Sequence, residues 1–370
     1  MGTEVKRIAI SGYYGFGNSG DEAVLLSILL ALEEEGARQG VRVEPVVLSA
    51  DPESTARMYG VRAVHRMRLS DVWGAIRECD GLISGGGSLL QDVTSFKTIP
   101  YYLAVIRLAQ LFRKPAFIYA QGIGPVRRPV FHRFIRTIFN KCQYISVRDE
   151  ESAALLAKMG IEPGRAEIVP DPVMGLPLNK QTEHASDKPD CVIGVSVRFW
   201  NEDRSELDAL AEALALIAVS RAARFRFLPF HGEADTMASR YVIERMEKKG
   251  QLSARIELAE YTPHPQDMLA NVSACDLLIG MRLHSLIYAA SQLVPLVGIS
   301  YDPKIDQFLR RLGMAASSSV SNMQPVRIAQ DALRLLEHEE SWRMETKDAV
   351  GRLKQEALQP AKQIISYLAR

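Results

Sequence analysis

Arg282 and His284 stand two positions apart in Met281-Arg282-Leu283-His284-Ser285, directly after the apolar run Leu277-Leu278-Ile279-Gly280. A helical pattern begins at about Ser285, with Leu286, Ala289, Ala290 and Leu293 on its apolar side. The carboxyl end of a strand, where the next helix starts, is where open α/β sheets bind ligands. Helix-start amides and the helix dipole favour an anion there. Arginine adds a permanent, fork-shaped charge, and histidine is the side-chain type that exchanges protons near neutral pH. The pattern predicts an anion held by Arg282 and a proton supplied by His284. Two further cations follow apolar runs: Arg148 after Ile145-Ser146-Val147, and Lys304 after Ile299-Ser300-Tyr301-Asp302-Pro303.

Each of these residues also has a structural reading. Arg148, in Arg148-Asp149-Glu150-Glu151, can pair with its local acids. Lys304 can be a turn residue after Asp-Pro. His231-Gly232-Glu233-Ala234-Asp235 looks like a metal cluster, but its spacing matches no metal site, and solvated loop charges are the better reading.

The elements that must position these groups follow from the pattern. Arg7 to Ser11 reads as a buried first strand, then the turn Gly12 to Asp21, then a helix from about Asp21. Strand, glycine loop and helix form a phosphate-cradling arrangement. The frame is not that of a dinucleotide fingerprint. Val41–Leu48, Asp80–Ser84, Ala116–Ala120 and Gln143–Val147 read as further strands, with Ser84-Gly85-Gly86-Gly87-Ser88-Leu89-Leu90-Gln91-Asp92 as a second glycine-rich turn. The three glycines fit either a ligand loop or a tight strand–helix turn.

The stretch 176–190 is polar and aperiodic and reads as a linker. The alternation then restarts with Cys191–Val197, Phe225–Phe230, Ile256–Leu258 and Leu296–Ser300. Expected are two parallel-sheet α/β domains, 1–175 and 191–340, with the last helical stretch, 341–370, returning to the first. Glu78-Cys79-Asp80-Gly81-Leu82-Ile83 matches Ala274-Cys275-Asp276-Leu277-Leu278-Ile279, which suggests a duplication. That would place Arg148 and Lys304 at equivalent strand ends.

Composition narrows the function class. The chain has 370 residues, a net charge of +1 and four isolated cysteines. It carries no signal for nucleic acid, a disulfide framework or a zinc site. No apolar run is long enough to span a bilayer and no signal peptide is evident, so the expected compartment is the cytoplasm.

Gly15-Phe16-Gly17-Asn18-Ser19-Gly20-Asp21-Glu22, the Ser84–Asp92 turn, Ser146-Val147-Arg148-Asp149 and Met281-Arg282-Leu283-His284-Ser285 together resemble the polysaccharide pyruvyl transferase family. The likeness is to its CsaB-type members, which pyruvylate secondary cell-wall polymers of Gram-positive bacteria. Ser88 departs from the glycine expected at its position. The resemblance implies two Rossmann-like domains facing a cleft, as in GT-B glycosyltransferases, with the acceptor on the N-terminal side and phosphoenolpyruvate on the C-terminal side. It implies transfer of the pyruvyl group to the 4- and 6-hydroxyls of N-acetylmannosamine on a lipid-linked precursor, forming a cyclic ketal and releasing phosphate. His284, Arg148 and Arg282 take the catalytic positions. Lys304, Gly17, Asn18, Ser19, Gly20, Asp21, Gly86, Gly87, Gln91 and Asp92 would line the substrates.

Phosphoenolpyruvate is the donor substrate, so no cofactor is expected, and the cations remove the need for a metal. Asp21 or Asp92 could act as a base, although a charge at the helix start is the simpler role for Asp21. A lipid-linked acceptor makes contact with the inner face of the cell membrane useful. Phe131, Phe134, Ile135, Ile138 and Phe139 of a basic amphipathic helix over 129–141 offer a face for it, or else a face for the sheet. Two other classes stay open: a glycosyltransferase or epimerase using a nucleotide sugar, and a non-catalytic sugar or anion binder.

Overall fold

The computed structural model describes residues 4–93, 95–179, 191–248 and 256–370. Of the linker expected over 176–190, residues 180–190 lie outside the described residues. Among the described residues, thirteen strands alternate with helices: β1 (Glu4–Ser11), β2 (Val41–Ser49), β3 (Arg62–His65), β4 (Gly81–Gly85), β5 (Ala116–Gln121), β6 (Tyr144–Val147), β7 (Glu167–Ile168), β8 (Cys191–Ser196), β9 (Ala223–Phe227), β10 (Ile256–Leu258), β11 (Leu277–Gly280), β12 (Leu296–Ser300) and β13 (Ser318–Ser319). They form two parallel sheets, ordered β3-β2-β1-β4-β5-β6-β7 and β10-β9-β8-β11-β12-β13. The strands that periodicity does not reveal, β3, β7 and β13, are short and lie toward the sheet edges, where little burial shapes their pattern.

The chain divides into two compact units. The first holds Met1–Gly17, Asp21–Leu176 and Leu353–Arg370; the second holds Asn18–Gly20 and Pro177–Arg352. Each has its own apolar core. Leu82, Ile118 and Ile145 meet Ile76, Ile106 and Phe139 in the first. Ile193, Phe225 and Leu277 meet Leu210, Leu214 and Ile328 in the second. The helix Gln359–Leu368 packs on the first unit, with the Tyr367 ring edge-on to Phe117 at 5.4 Å and Ser366 donating to Gln39.

In both sheets the order in which strands are added reverses at the first strand of the unit. The switch points therefore lie between β1 and β4 and between β8 and β11, where parallel sheets open a crevice beyond the strand carboxyl ends. The Cys-Asp match between the halves has a physical counterpart. Asp80 accepts the Arg7 N–H at 2.8 Å and donates its own N–H to the Arg7 carbonyl. Asp276 accepts the Val192 N–H at 2.7 Å and donates its own to the Val192 carbonyl. Each aspartate clamps the strand that begins its unit. The match does not extend to the cations. β12 holds the place in its sheet that β5, not β6, holds in the first, so Arg148 after β6 and Lys304 after β12 are not at equivalent strand ends.

The helix Pro129–Phe139 resolves between its two readings. Ile135, Ile138 and Phe139 are buried in the first core and Phe131 packs against it, while Phe134 stays exposed. The apolar face that a membrane would need belongs to the sheet, because covering a parallel sheet requires an apolar stripe on every helix laid over it. No described helix is long and apolar enough to cross a membrane.

Candidate functional site

In the second unit the helix Leu283–Ser291 begins straight after β11, with Arg282 at its N-cap in extended conformation. The Arg282 fork meets Asp235 with Nε at 3.0 Å from Oδ2, and with Nη2 on Oδ1. Asp235 is 1% exposed and also accepts the N–H groups of Phe230 at 3.2 Å and His231 at 2.9 Å. A buried carboxylate with this many donors fixes the plane of its partner. Arg282 is thus held at the head of a helix with part of its donor fork left over. Asp235 is therefore no solvated loop charge: it tethers the arginine that the sequence singles out.

His284 lies half-buried in the first turn of that helix. Its ring fills the space beside Gly20, where a Cβ would stand 2.2 Å from Nδ1 and 2.8 Å from Cγ. Asn18 Oδ1 accepts the Gly20 N–H at 3.2 Å, and the Ser19 N–H donates to the Phe230 carbonyl at 3.1 Å, so this short segment is tied to the second unit. Gly20→Ala is expected to push the imidazole aside and lower turnover by roughly tenfold or more while the protein stays folded. Phosphate release and a melting curve check this, and wild-type turnover would show that the ring position does not matter.

Three more residues at the strand ends of this unit complete the cluster. Arg198 follows β8. Its Nη1 donates to the Tyr301 hydroxyl at 2.9 Å, and its guanidinium carbon lies 4.6 Å from the Tyr301 ring and 5.2 Å from that of Trp200. Among the described residues no carboxylate pairs with it. His231 follows β9. Burial and the charge of Arg282 push its pKa down, with Arg198 adding to that and Asp235 opposing it, so the ring favours the neutral form. Lys304 sits in the first turn of the helix Pro303–Arg311, where Asp302 caps its N–H at 3.0 Å and lies 4.0 Å from its Nζ. A lysine at that end opposes the helix dipole, an arrangement that an anion would relieve.

Arg198, His231 and Asp235 are not marked as site residues by the sequence. The visible signal for Arg198 was its place directly after a strand. For Asp235 there was none, because the contact with Arg282 is made only by folding.

In the first unit the glycine turns meet at the switch point. Gly17, Gly86 and Gly87 have positive φ. A Cβ on Gly86 would stand 1.9 Å from Val24 Cγ1, which makes this glycine a packing requirement of the turn. The Asp21 carboxylate lies beside Gly87, 3.0 Å from where its Cβ would be. Gln91 caps the Val93 N–H. Both oxygens of Asp92 accept backbone amides, from Arg127 at 2.8 Å and Arg128 at 3.0 Å, so Asp92 holds the chain ahead of the helix Pro129–Phe139 rather than standing ready as a base.

Arg148 has only 8% of its side chain exposed. It donates to Ser88 Oγ at 2.7 Å and pairs with Asp171 at 3.4 Å, in a space that Gly122 keeps open. Ser88, the departure from the family pattern, therefore supplies the hydroxyl that Arg148 grips. Removing Arg148 would leave the buried Asp171 without its cation, so this arginine supports the structure of the turn whatever else it does.

A model of the family described as polysaccharide pyruvyl transferase matches residues 18–303, more than half the chain. The amylovoran biosynthesis protein AmsJ of Erwinia amylovora is 21% identical over 268 residues, covering 66% of this chain and 62% of that protein. The chain thus spans less than two thirds of that relative's length. Many solved structures share the fold, among them the following three. HepE of Anabaena, solved with UDP-glucose, has a TM-score of 0.65 at 12% identity, covering 98% of this chain and 99% of that one. The UDP-GlcNAc 2-epimerase of Neisseria meningitidis, solved with UDP-GlcNAc, has a TM-score of 0.65 at 10% identity, covering 97% and 100%. A glycosyltransferase of Rickettsia africae has a TM-score of 0.67 at 11% identity, covering 98% of each. Identities this low carry the fold, two parallel-sheet α/β domains of the glycosyltransferase and epimerase kind, and nothing about activity. The four motifs and the matched span agree on one assignment: the chain belongs to the polysaccharide pyruvyl transferase family.

Proposed function

We propose that this protein transfers the pyruvyl group of phosphoenolpyruvate onto two hydroxyls of one sugar in a polysaccharide precursor, releasing phosphate. The observation that carries this is the Asp235-held Arg282 at the head of the helix that bears His284. Arg198 and Lys304 stand at neighbouring strand ends of the same sheet. Phosphoenolpyruvate brings a phosphate and a carboxylate, and arginine forks and a lysine suit both.

In the mechanism His284 gives a proton to the methylene carbon, which becomes a methyl group and leaves an oxocarbenium-like centre at C2. The first sugar hydroxyl adds there and loses its proton. The C2–O bond to phosphate then breaks, the phosphate leaves with its electron pair, and the second hydroxyl adds and loses its proton to close the ketal. The cationic strand ends stabilise the leaving phosphate without a metal or cofactor. Arg148 serves from within the first unit by holding the Ser88 turn. We take the acceptor to be N-acetylmannosamine, joined at its 4- and 6-hydroxyls on a lipid-linked precursor, as in the CsaB-type members.

One observation favours a rival. Trp200 and Tyr301, with ring centroids 4.6 Å apart beside Arg198, offer a stacking face of the kind a nucleobase uses. Thermal unfolding separates the two. Millimolar phosphoenolpyruvate is expected to raise the melting temperature, and UDP-N-acetylglucosamine to leave it unchanged. Protection by the nucleotide sugar alone would favour a glycosyltransferase or epimerase.

A further inference from the structure

We propose that Tyr13 and Phe16 form a platform on which a pyranose ring of the acceptor saccharide stacks, with Arg66 as the residue that positions it. This rests on the pyruvyl-transfer function for the identity of the saccharide, but not for the existence of the platform.

The two rings lie in the turn after β1, at the switch point of the first sheet. They stack face to face, with centroids 4.0 Å apart and planes 9° from parallel. Tyr13 is 42% exposed and Phe16 44%. Flat aromatic surface held open beside a strand-end crevice is the surface that the C–H face of a sugar covers, because it takes up apolar area without requiring hydrogen bonds from the ring.

The turn is rigid. The Glu22 carboxylate accepts the Gly15 N–H at 2.8 Å and the Tyr59 hydroxyl at 2.9 Å, with the amides of Phe16 and Gly17 on it as well. Tyr14, between them in the chain, is buried and donates to the Gly85 carbonyl at 2.9 Å. Gly15 has φ +80°, and a Cβ there would stand 2.2 Å from Ser49 Oγ. The platform is therefore formed before any ligand arrives, which lowers the entropy lost on binding.

Arg66 is the independent observation. It is 7% exposed, and among the described residues no carboxylate pairs with it. Its Nη1 donates to the Gly12 carbonyl at 2.9 Å and its Nη2 to the Tyr102 hydroxyl at 3.2 Å. Its guanidinium carbon lies 4.6 Å from the Tyr101 ring, 5.3 Å from Phe16 and 6.0 Å from Tyr13. A buried cation without an acid is unfavourable on stability grounds, so its retention asks for another reason. The rings of Tyr101 and Tyr102, on the helix Thr98–Leu111, lie 4.6 and 5.5 Å from its guanidinium carbon and hold it on the other side. Gly12 and Phe16 belong to the turn it fixes, and donors are left over for an oxygen of a bound sugar.

The test uses the full chain with a disaccharide of N-acetylmannosamine and N-acetylglucosamine. Tyr13→Ala and Phe16→Ala are each expected to raise the acceptor KM by roughly tenfold, with the phosphoenolpyruvate KM unchanged, and Phe16→Trp to restore the wild-type value. Arg66→Lys is expected to raise the acceptor KM while keeping kcat. Saturation-transfer NMR with the same disaccharide and no phosphoenolpyruvate is expected to show sugar C–H signals that Phe16→Ala abolishes. Saccharide binding lost in the alanine variants of a chain that releases no phosphate would support the platform and refute pyruvyl transfer. Unchanged acceptor KM in both alanine variants of an active enzyme would overturn the platform and leave pyruvyl transfer standing.

Discussion

His284→Gln is expected to bind phosphoenolpyruvate about as well as the wild type and to turn it over roughly a hundredfold or more slowly, the usual loss when a general acid is removed. Glutamine keeps the volume and the hydrogen-bonding character of the side chain, so the packing against Gly20 and the helix start should survive. What it cannot do is release a proton to carbon. Protonating the methylene carbon is the acid-demanding step, so the loss should fall on kcat rather than on the phosphoenolpyruvate KM. Single-turnover phosphate release together with a binding titration reads both quantities. Wild-type turnover by this variant would remove His284 from the chemistry.

Disrupting the Asp235–Arg282 pair is expected to act on binding and folding together. Arg282→Ala leaves a carboxylate that is 1% exposed without its cation, which destabilises by about 3–5 kcal/mol, and it removes a fork from the bound anion. Asp235→Asn is the sharper variant. It keeps the shape and can still accept the Phe230 and His231 amides, yet it no longer fixes Arg282 by a charged, two-point contact. With the fork no longer held in place, the phosphoenolpyruvate KM should rise by roughly tenfold or more. Urea unfolding separates the loss of stability from the loss of affinity. An Asp235→Asn protein with wild-type KM would mean that Arg282 does not hold the donor.

The strand–helix alternation was legible because buried parallel strands read as apolar runs, and every strand running through the middle of a sheet left one. Arg282, His284 and Lys304 were legible for a related reason: a polar residue just past an apolar run falls at the carboxyl end of a strand. What supports them was not. Asp235 and Arg282 lie 47 positions apart in the chain, Arg148 and Ser88 lie 60 apart, and each pair is made only by the crossing of strands. The same limit explains the helix over 129–139. Periodicity reveals that a face is apolar but not whether sheet or lipid covers it. The bonds of Asp92 to two backbone amides were hidden for the same reason, since in sequence it looks like any other acid beside a glycine turn.

The most direct measurement is incubation of the protein in deuterated water with phosphoenolpyruvate and the N-acetylmannosamine disaccharide, followed by mass spectrometry and NMR of the product. Pyruvyl transfer with His284 as the acid predicts a 4,6-ketal, one phosphate released per ketal formed, and a single deuterium in the ketal methyl group. A ketal whose methyl group carries no solvent deuterium would contradict protonation at carbon. An acceptor left unmodified by phosphoenolpyruvate but extended or epimerised with a nucleotide sugar would contradict pyruvyl transfer itself.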